Sequence, residues 1–150
     1  MHCAAKFITS KVIQTYMEIR TISWEQTIPL RHAVLWPYKP QEYCHVDGDI
    51  HALHFGCFVN EMLVCVASVY VNQNMARLRK FATDNRFQNQ GIGSKMLKHI
   101  IESLKSFEIE FFWCDARESA LGFYDRFDMK KCSERFYKED VPYFKMKTTL

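Results

Sequence analysis

The sequence predicts an α/β domain with a mixed, partly antiparallel sheet, and two observations carry this prediction. Residues 53–59 and 63–71 are apolar, strand-like runs separated by Asn60-Glu61, a pair suited to a tight hairpin turn. Between residues 76 and 114 a strand, a long amphipathic helix and another strand follow one another. A hairpin combined with a strand–helix–strand unit is typical of a layered α/β fold.

In the first half of the chain, residues 17–22 alternate in polarity and predict a strand. Ser23 suits a helix N-cap, and the helix-spaced apolar residues of 24–35 predict a helix that stops before Pro37. Pro29 weakens the prediction of an unbroken helix. The continuous apolar character of residues 53–59 and 63–71 predicts a central sheet covered on at least one face.

In the second half, a third strand at residues 76–83 leads through a polar turn into the amphipathic helix, which ends near Lys105. One face of that helix carries Ile92, Met96, Leu97, Ile100, Ile101 and Leu104. A strand at 108–114, a helix at 117–127 and a closing pair of strands at 130–137 and 143–149 complete the predicted order.

Composition and charge exclude several classes of protein. The length suits one domain, 1–150, whose residues 1–16 form an N-terminal extension without the continuous apolar core of a signal peptide. No apolar run approaches the roughly 18 residues of a membrane span. A net charge of +3 without an arginine-rich arm predicts no binding to nucleic acid. Cys57, Cys65 and Cys114 lie in apolar runs, which indicates buried thiols and a cytoplasmic location.

Gly91 and Gly93 mark the start of the amphipathic helix, where backbone N–H groups without partners attract anions. Two glycines let a phosphate approach that backbone closely. A Walker loop is excluded because Ser94 stands where its lysine is required. A dinucleotide fingerprint is excluded because Met96 occupies the position of its third small residue.

Residues Gln88-Asn89-Gln90-Gly91-Ile92-Gly93 resemble the Gln/Arg-x-x-Gly-x-Gly/Ala pyrophosphate loop of the GNAT superfamily of N-acetyltransferases. Residues 116–129 are similar to the family's Ala-Arg-x-x-Ala-x-x-Phe-Tyr-x-x-x-Gly-Phe segment, with Asp128-Met129 in place of Gly-Phe. A thinner likeness includes Leu30-Arg31. The resemblance implies a GNAT-like fold: a mixed, mostly antiparallel central sheet flanked by helices, with a splay between the strands at 76–83 and 108–114.

The resemblance also implies acetyl-CoA as co-substrate and acetyl transfer to a primary amine by direct attack in a ternary complex. Backbone groups of the loop would bind the pyrophosphate, and the preceding strand would pair with pantetheine. Lys95 or Lys98 would meet the 3′-phosphate. The implied cofactor-binding residues are Phe81, Ala82, Thr83, Gln88, Asn89, Gln90, Gly91, Ile92, Gly93 and Ser94.

Tyr124, at the family's Phe-Tyr position, is the candidate catalytic residue, which would protonate the leaving thiolate. Its alternative role is to pack beside Phe123 with a satisfied hydroxyl. The general base stays open among Asp115, Asp84, Glu61, the acidic turn at 47–49 and a water chain. The alternative function is a non-catalytic acyl-CoA-binding sensor or interaction domain.

Residues 44–57 contain several side chains of metal-ligand type, but their spacing matches no Cys-x-x-Cys or His-x-x-x-His pair. We therefore predict no metal site there, and instead a substrate-facing segment with His54 on the acceptor side. The expected partners are acetyl-CoA and a small-molecule or peptide amine. The resemblance also allows a homodimer formed through the terminal strands. The sequence does not identify the amine.

Overall fold

The computed structural model describes residues 16–150, so the predicted N-terminal extension lies outside the described residues except for Tyr16. The strands are β1 (Met17–Ile22), β2 (Leu53–Val59), β3 (Met62–Asn72), β4 (Met75–Thr83), β5 (Phe111–Arg117), β6 (Lys130–Lys131), β7 (Phe136–Lys138) and β8 (Val141–Thr149). The α-helices are α1 (Trp24–Leu30), α2 (Ile92–Lys105) and α3 (Leu121–Asp125). No helix among the described residues has the length and apolarity needed to cross a bilayer.

The eight strands form one sheet in the order β1-β2-β3-β4-β5-β8-β6, and β7 also pairs with β8. Every neighbouring pair is antiparallel except β4 and β5, which run parallel. The parallel pairing is short: it begins at Met75 opposite Phe111 and ends at Arg77 opposite Trp113. The prediction of a mixed, mostly antiparallel sheet flanked by helices is confirmed.

Local signals placed the first elements correctly. Ser23 caps α1 in a capping box with Gln26, and Asn60 and Glu61 form the β2–β3 turn with φ angles of 48° and 68°. The predicted helix at 24–35 divides in two, since α1 ends at residue 30 and a π-helical segment, Arg31–Leu35, continues it. Pro29 has no N–H for the α-helical ladder, which favours such a change of spacing.

Three predictions in the second half were wrong in their bounds. β5 lies three residues later than predicted, because it pairs with β8 as far as Arg117 opposite Tyr143. α3 is shorter than the predicted helix at 117–127, since a 3₁₀ turn, Glu118–Ala120, precedes it. The predicted strand at 130–137 is divided into β6 and β7. Between them Ser133 accepts the backbone N–H of Lys145 at 2.8 Å, which interrupts the ladder.

Helices cover both faces of the sheet. The apolar face of α2 packs on one side with Phe55, Leu78 and Phe112 in the main core. On the other side Leu30 of α1 packs with Val66 and Ala82 in a smaller core. The apolar strands β2 and β3 are therefore buried from both sides, as their continuous hydrophobic character requires.

A fully buried ion pair joins the π-helical segment to the loop before β2. Arg31 and Asp49 have side chains with no exposed surface, and their two nitrogen–oxygen distances are 2.8 Å and 3.0 Å. Arg31 also donates to the carbonyl of Cys44 at 3.0 Å and to the hydroxyl of Ser68 at 2.9 Å. One guanidinium thus holds a helix, a loop and strand β3 together.

We expect this pair to make the fold sensitive to acid. Burial raises the pKa of Asp49, but hydrogen bonds from Arg31, Tyr70 and Val46 outweigh burial and lower this pKa to about 2. The unfolded-state value is about 3.9, so the stabilisation is complete above about pH 4 and is lost as the pH falls toward about 2. Urea unfolding at decreasing pH should show a loss of about 2 kcal/mol from this group. An ordinary pKa for Asp49 in an NMR titration of carboxyl carbons would contradict the prediction.

Candidate active site

A groove opens where β4 and β5 separate. Their pairing ends at Arg77, whereas β4 continues to Thr83 and β5 continues to Arg117 alongside β8. Within the described residues, the edge of β4 beyond Arg77 is therefore unpaired on the side of β5. The groove has a volume of about 660 Å³, a size typical of ligand sites. All the predicted cofactor-binding residues line it except Gln90.

α2 begins at this groove with exposed backbone donors. Gly91 is its N-cap, no side chain caps the helix, and the backbone hydrogen bond nearest the start runs from the Lys95 N–H to the Gly91 carbonyl at 3.2 Å. The N–H groups of Ile92, Gly93 and Ser94 thus have no partner within the helix. The helix dipole adds partial positive charge at the same place. The arrangement suits a phosphate.

The two glycines serve different purposes. Gly91 has a φ of +80°, a left-handed conformation that glycine adopts without strain, and a Cβ there would meet nothing within 4 Å. A Cβ on Gly93 would lie 3.6 Å from the ring of Phe81 and 3.7 Å from the ring of Phe123. These are ordinary contacts, so the fold would accept the atom. It would, however, fill the groove between the two rings.

Side chains of the loop hold its backbone in place. The amide nitrogen of Gln88 donates to the carbonyl of Thr83 at 3.1 Å and to the side chain of Asn85 at 3.0 Å. The amide nitrogen of Gln90 donates to the carbonyl of Arg86 at 3.2 Å. Gln88 and Gln90 are therefore engaged within the loop, and they leave the backbone N–H groups at the start of α2 accessible to an anion.

Tyr124 lies on α3, next to Phe123, whose ring faces the groove. The two rings are 5.0 Å apart in an edge-to-face contact, and Tyr124 packs against the main core without lining the groove itself. Burial, and then the neighbouring thiol of Cys114, raise the pKa of Tyr124 well above its usual range. Its hydroxyl therefore keeps its proton at neutral pH.

The sequence analysis missed other residues of the groove, among them Phe123, Arg126 and Val34. The guanidinium carbon of Arg126 lies 5.5 Å from the ring of Phe123. These two residues stand three positions apart at α3, and that spacing was a usable signal. Val34 arrives from the π-helical segment through a tertiary contact, which no local pattern indicates. Lys95 and Lys98 are exposed on α2 and do not line the groove.

Four of the carboxylates considered as general base are engaged in ion pairs, whereas Asp47 forms none among the described residues. Asp115 lies beside the gap between β4 and β5, where its Oδ2 is 2.9 Å from Arg77 and 3.0 Å from Lys138. Elsewhere Asp84 pairs with Arg86, Glu61 with Arg20, and Asp49 with Arg31. Among these carboxylates, Asp115 lies on β5 beyond Trp113, where β5 no longer pairs with β4.

The residues of metal-ligand type between 44 and 57 do not converge. His54 is only 3% exposed, and its ring nitrogens lie 2.7 Å from the hydroxyl of Ser68 and 2.7 Å from the backbone carbonyl of Asp49. The expectation that His54 faces an acceptor is therefore wrong. In the part of the chain that the structure describes, no three His, Cys, Asp or Glu side chains are placed to hold a metal ion.

Comparisons with known proteins agree with this fold. The family described as Acetyltransferase (GNAT) domain matches residues 32–150. The uncharacterized N-acetyltransferase YitI of Bacillus subtilis (strain 168) is 32% identical over 136 residues, which cover 84% of this chain and 89% of that protein.

Two solved structures share the fold at low sequence identity. The ribosomal-protein-S18-alanine N-acetyltransferase from Escherichia coli has a TM-score of 0.76 at 18% identity, with 89% of this chain and 94% of that chain covered. A GNAT family acetyltransferase from Elizabethkingia anophelis, solved with acetyl-CoA bound, has a TM-score of 0.70 at 16% identity, with 89% and 98% covered.

The family match and the curated relative show that the protein with this splayed sheet and this glycine-rich helix start is an enzyme, an N-acetyltransferase. The chain is a member of the GNAT superfamily of acetyltransferases, whose enzymes use acetyl-CoA. The family predicted from the loop and from the segment around Tyr124 is thereby confirmed.

Proposed function

We propose that this chain binds acetyl-CoA in the groove and transfers the acetyl group to a primary amine. The proposal rests on one observation: two sets of backbone groups without hydrogen-bond partners in the secondary structure line the same groove. The N–H groups of Ile92, Gly93 and Ser94 suit the pyrophosphate. The unpaired edge of β4 at Phe81 to Thr83 suits pantetheine, which would pair with it as an added strand does.

Acetyl transfer then needs one proton donor at the sulfur. In a ternary complex the amine nitrogen bonds to the thioester carbon, the carbon–sulfur bond breaks, and the thiolate leaves with a proton. We assign that proton to Tyr124, because its hydroxyl stays protonated at neutral pH and because the preceding residue on α3, Phe123, lines the groove. The proton lost by the amine passes to water or to a base.

Two measurements on the purified protein test the proposal. Calorimetric titration with acetyl-CoA should show binding, and release of the CoA thiol should be observed with a panel of diverse amines. Absence of binding at millimolar acetyl-CoA contradicts the proposal. Binding without turnover of any amine would instead favour the alternative, a non-catalytic acyl-CoA-binding sensor.

Tyr124→Phe should lower kcat by about 10²–10⁴, the usual effect of losing a general acid, while the affinity for acetyl-CoA is retained. Tyr38→Phe is a matched control, since Tyr38 is 99% exposed and its hydroxyl makes no hydrogen bond among the described residues. Thiol release and calorimetry separate turnover from binding. Unchanged turnover in Tyr124→Phe would leave Tyr124 with its packing role alone.

We also propose that residues 1–150 form one domain and work in the cytoplasm. The pairing of the eight strands found in residues 16–150 into one sheet supports the first proposal. The second is supported by Cys57, Cys65 and Cys114, which are buried free thiols as the sequence predicted and suit a reducing compartment.

A further inference from the structure

Four cationic side chains lie close together on the α1 face of the sheet, beside the gap between β4 and β5. They belong to Arg77, Arg79, Lys80 and Lys138. Arg77 and Lys138 share one carboxylate, Asp115, at 2.9 Å and 3.0 Å. Arg79 and Lys80 follow on β4, where β4 no longer pairs with β5. Among residues 16–150 neither Arg79 nor Lys80 has a carboxylate within ion-pair distance.

Register fixes the face on which these cations lie. Arg79 stands opposite Ser68 and Arg77 stands opposite Tyr70, and paired residues point to the same side of a sheet. Ser68 and Tyr70 are both bonded to the buried pair beneath the π-helical segment, so their side is the α1 side. Lys80 reaches the same side, because its nitrogen lies 4.3 Å from the ring centre of Trp36.

Arg79 and Lys80 are partly buried, and among the described residues no carboxylate lies within ion-pair distance of either. The guanidinium of Arg79 lies 5.3 Å from the ring centre of Tyr70. Burial, followed by the like charge of Arg77, lowers the pKa of Arg79. Burial, followed by Arg79 and then Lys138, lowers the pKa of Lys80 to about 8. Each cation thus raises the free energy of its neighbours, and an anion placed among them would relieve this repulsion.

The position of the cluster matches the side from which an acceptor would enter. Lys80 is adjacent in sequence to Phe81, whose backbone we assign to pantetheine, and Val34 of the π-helical segment lines the groove from the α1 face. Most of the groove lining outside β4 lies on the α2 face, at the start of α2 and at Phe123. An amine that approached the thioester from the α1 face would meet Arg79, Lys80 and Lys138 beside the gap.

We propose that the acceptor is an amine that also carries an anionic group, a carboxylate or a phosphate, and that Arg79 and Lys80 bind this group. This inference rests on the proposed acetyl transfer. A guanidinium fork and an ammonium together suit either kind of oxyanion. Polyamines and aminoglycosides would meet four like charges with one carboxylate between them, and are disfavoured by the same geometry.

Matched pairs of acceptors test the preference. Phosphoethanolamine is compared with ethanolamine, and glycine and β-alanine are compared with their amides, by CoA thiol release corrected for the fraction of free amine. We expect kcat/KM to be at least about tenfold higher for the anionic member of at least one pair, the effect of one charge-assisted hydrogen bond. Which pair shows the preference distinguishes phosphate from carboxylate. Equal rates, or faster neutral amines, overturn the inference.

Variants of the cationic residues test whether they cause the preference for anionic acceptors. Arg79→Gln and Lys80→Gln should lower the ratio of kcat/KM between anionic and neutral acceptors about tenfold, mainly through KM of the anionic one. Lys147→Gln removes the same charge from the same sheet beside Phe111, and should leave the ratio unchanged. Lys80→Glu should shift the preference toward neutral or cationic amines. An equal loss for both acceptors in these variants would overturn the assignment.

The experiments distinguish failure of the proposed acetyl transfer from failure of this inference alone. If acetyl-CoA does not bind, or if no amine of either kind is acetylated, the acetyl-transfer proposal fails and this inference fails with it. If amines are acetylated without regard to their charge, only this inference fails.

Discussion

Gly93→Asp is expected to remove acetyl-CoA binding while the protein stays folded. The new side chain would project between the rings of Phe81 and Phe123, 3.6 Å and 3.7 Å from its Cβ, and its carboxylate would stand where we place the pyrophosphate. Repulsion between like charges about 4 Å apart near a protein surface is about 4 kcal/mol. We therefore expect the affinity to fall at least about a hundredfold in a calorimetric titration.

Gly122→Asp is the matched control for this variant. Gly122 is also the second residue of its helix, and a Cβ there would meet nothing within 4 Å. An acidic residue in a helix's first turn interacts favourably with its dipole, so neither substitution should lower the melting temperature appreciably. Normal acetyl-CoA affinity in Gly93→Asp would show that the groove is not the nucleotide site.

The sequence was sufficient to predict the elements whose bounds depend on residues close in the chain. The capping box of Ser23 and Gln26 fixes the start of α1, and the Asn60-Glu61 turn fixes the β2–β3 hairpin. Bounds that depend on a distant partner could not be predicted in this way. β5 extends to Arg117 because Tyr143 pairs with it, 26 residues later in the chain.

The residues of the candidate site also differ in whether local sequence or distant contacts decide their positions. Its glycine loop is a contiguous segment before a strongly periodic helix, so the family resemblance could assign residues 88–94 to the candidate site from the sequence. The cation cluster could not be assigned in this way, because Lys138 comes from β7 and meets Arg77 only through Asp115. Arg31 was part of the thin family likeness, yet no sequence pattern names Asp49, 18 residues away, as its partner.

Arg31→Met is expected to lower the free energy of unfolding by about 3–5 kcal/mol, the usual cost of breaking a buried ion pair by removing one partner. Asp49 would remain fully buried with its charge uncompensated, and the carbonyl of Cys44 would lose its donor. Urea unfolding followed by circular dichroism measures the change. Arg20→Met, in a solvent-accessible pair with Glu18, should cost much less by the same measurement.

The double variant Arg31→Met/Asp49→Asn separates the lost charge from the lost packing. A neutral amide oxygen can still accept the N–H of Val46, which donates to Asp49 at 2.8 Å. Because no unpaired buried charge remains, the double variant should be more stable than the sum of the two single variants predicts, by at least about 0.5 kcal/mol. Strict additivity would show that the two groups are not energetically coupled.

The same pair should affect acceptor binding more than cofactor binding. Arg31 holds the π-helical segment against β3 through Ser68, and that segment leads directly to Trp36, which contacts Lys80 at 4.3 Å. The glycine loop at residues 88–94, where we place the pyrophosphate, has no hydrogen bond to Arg31. Folded Arg31→Met should therefore show a raised KM for the acceptor with little change in acetyl-CoA affinity. Equal losses at both sites would mean that the pair stabilises the whole fold without shaping the acceptor side.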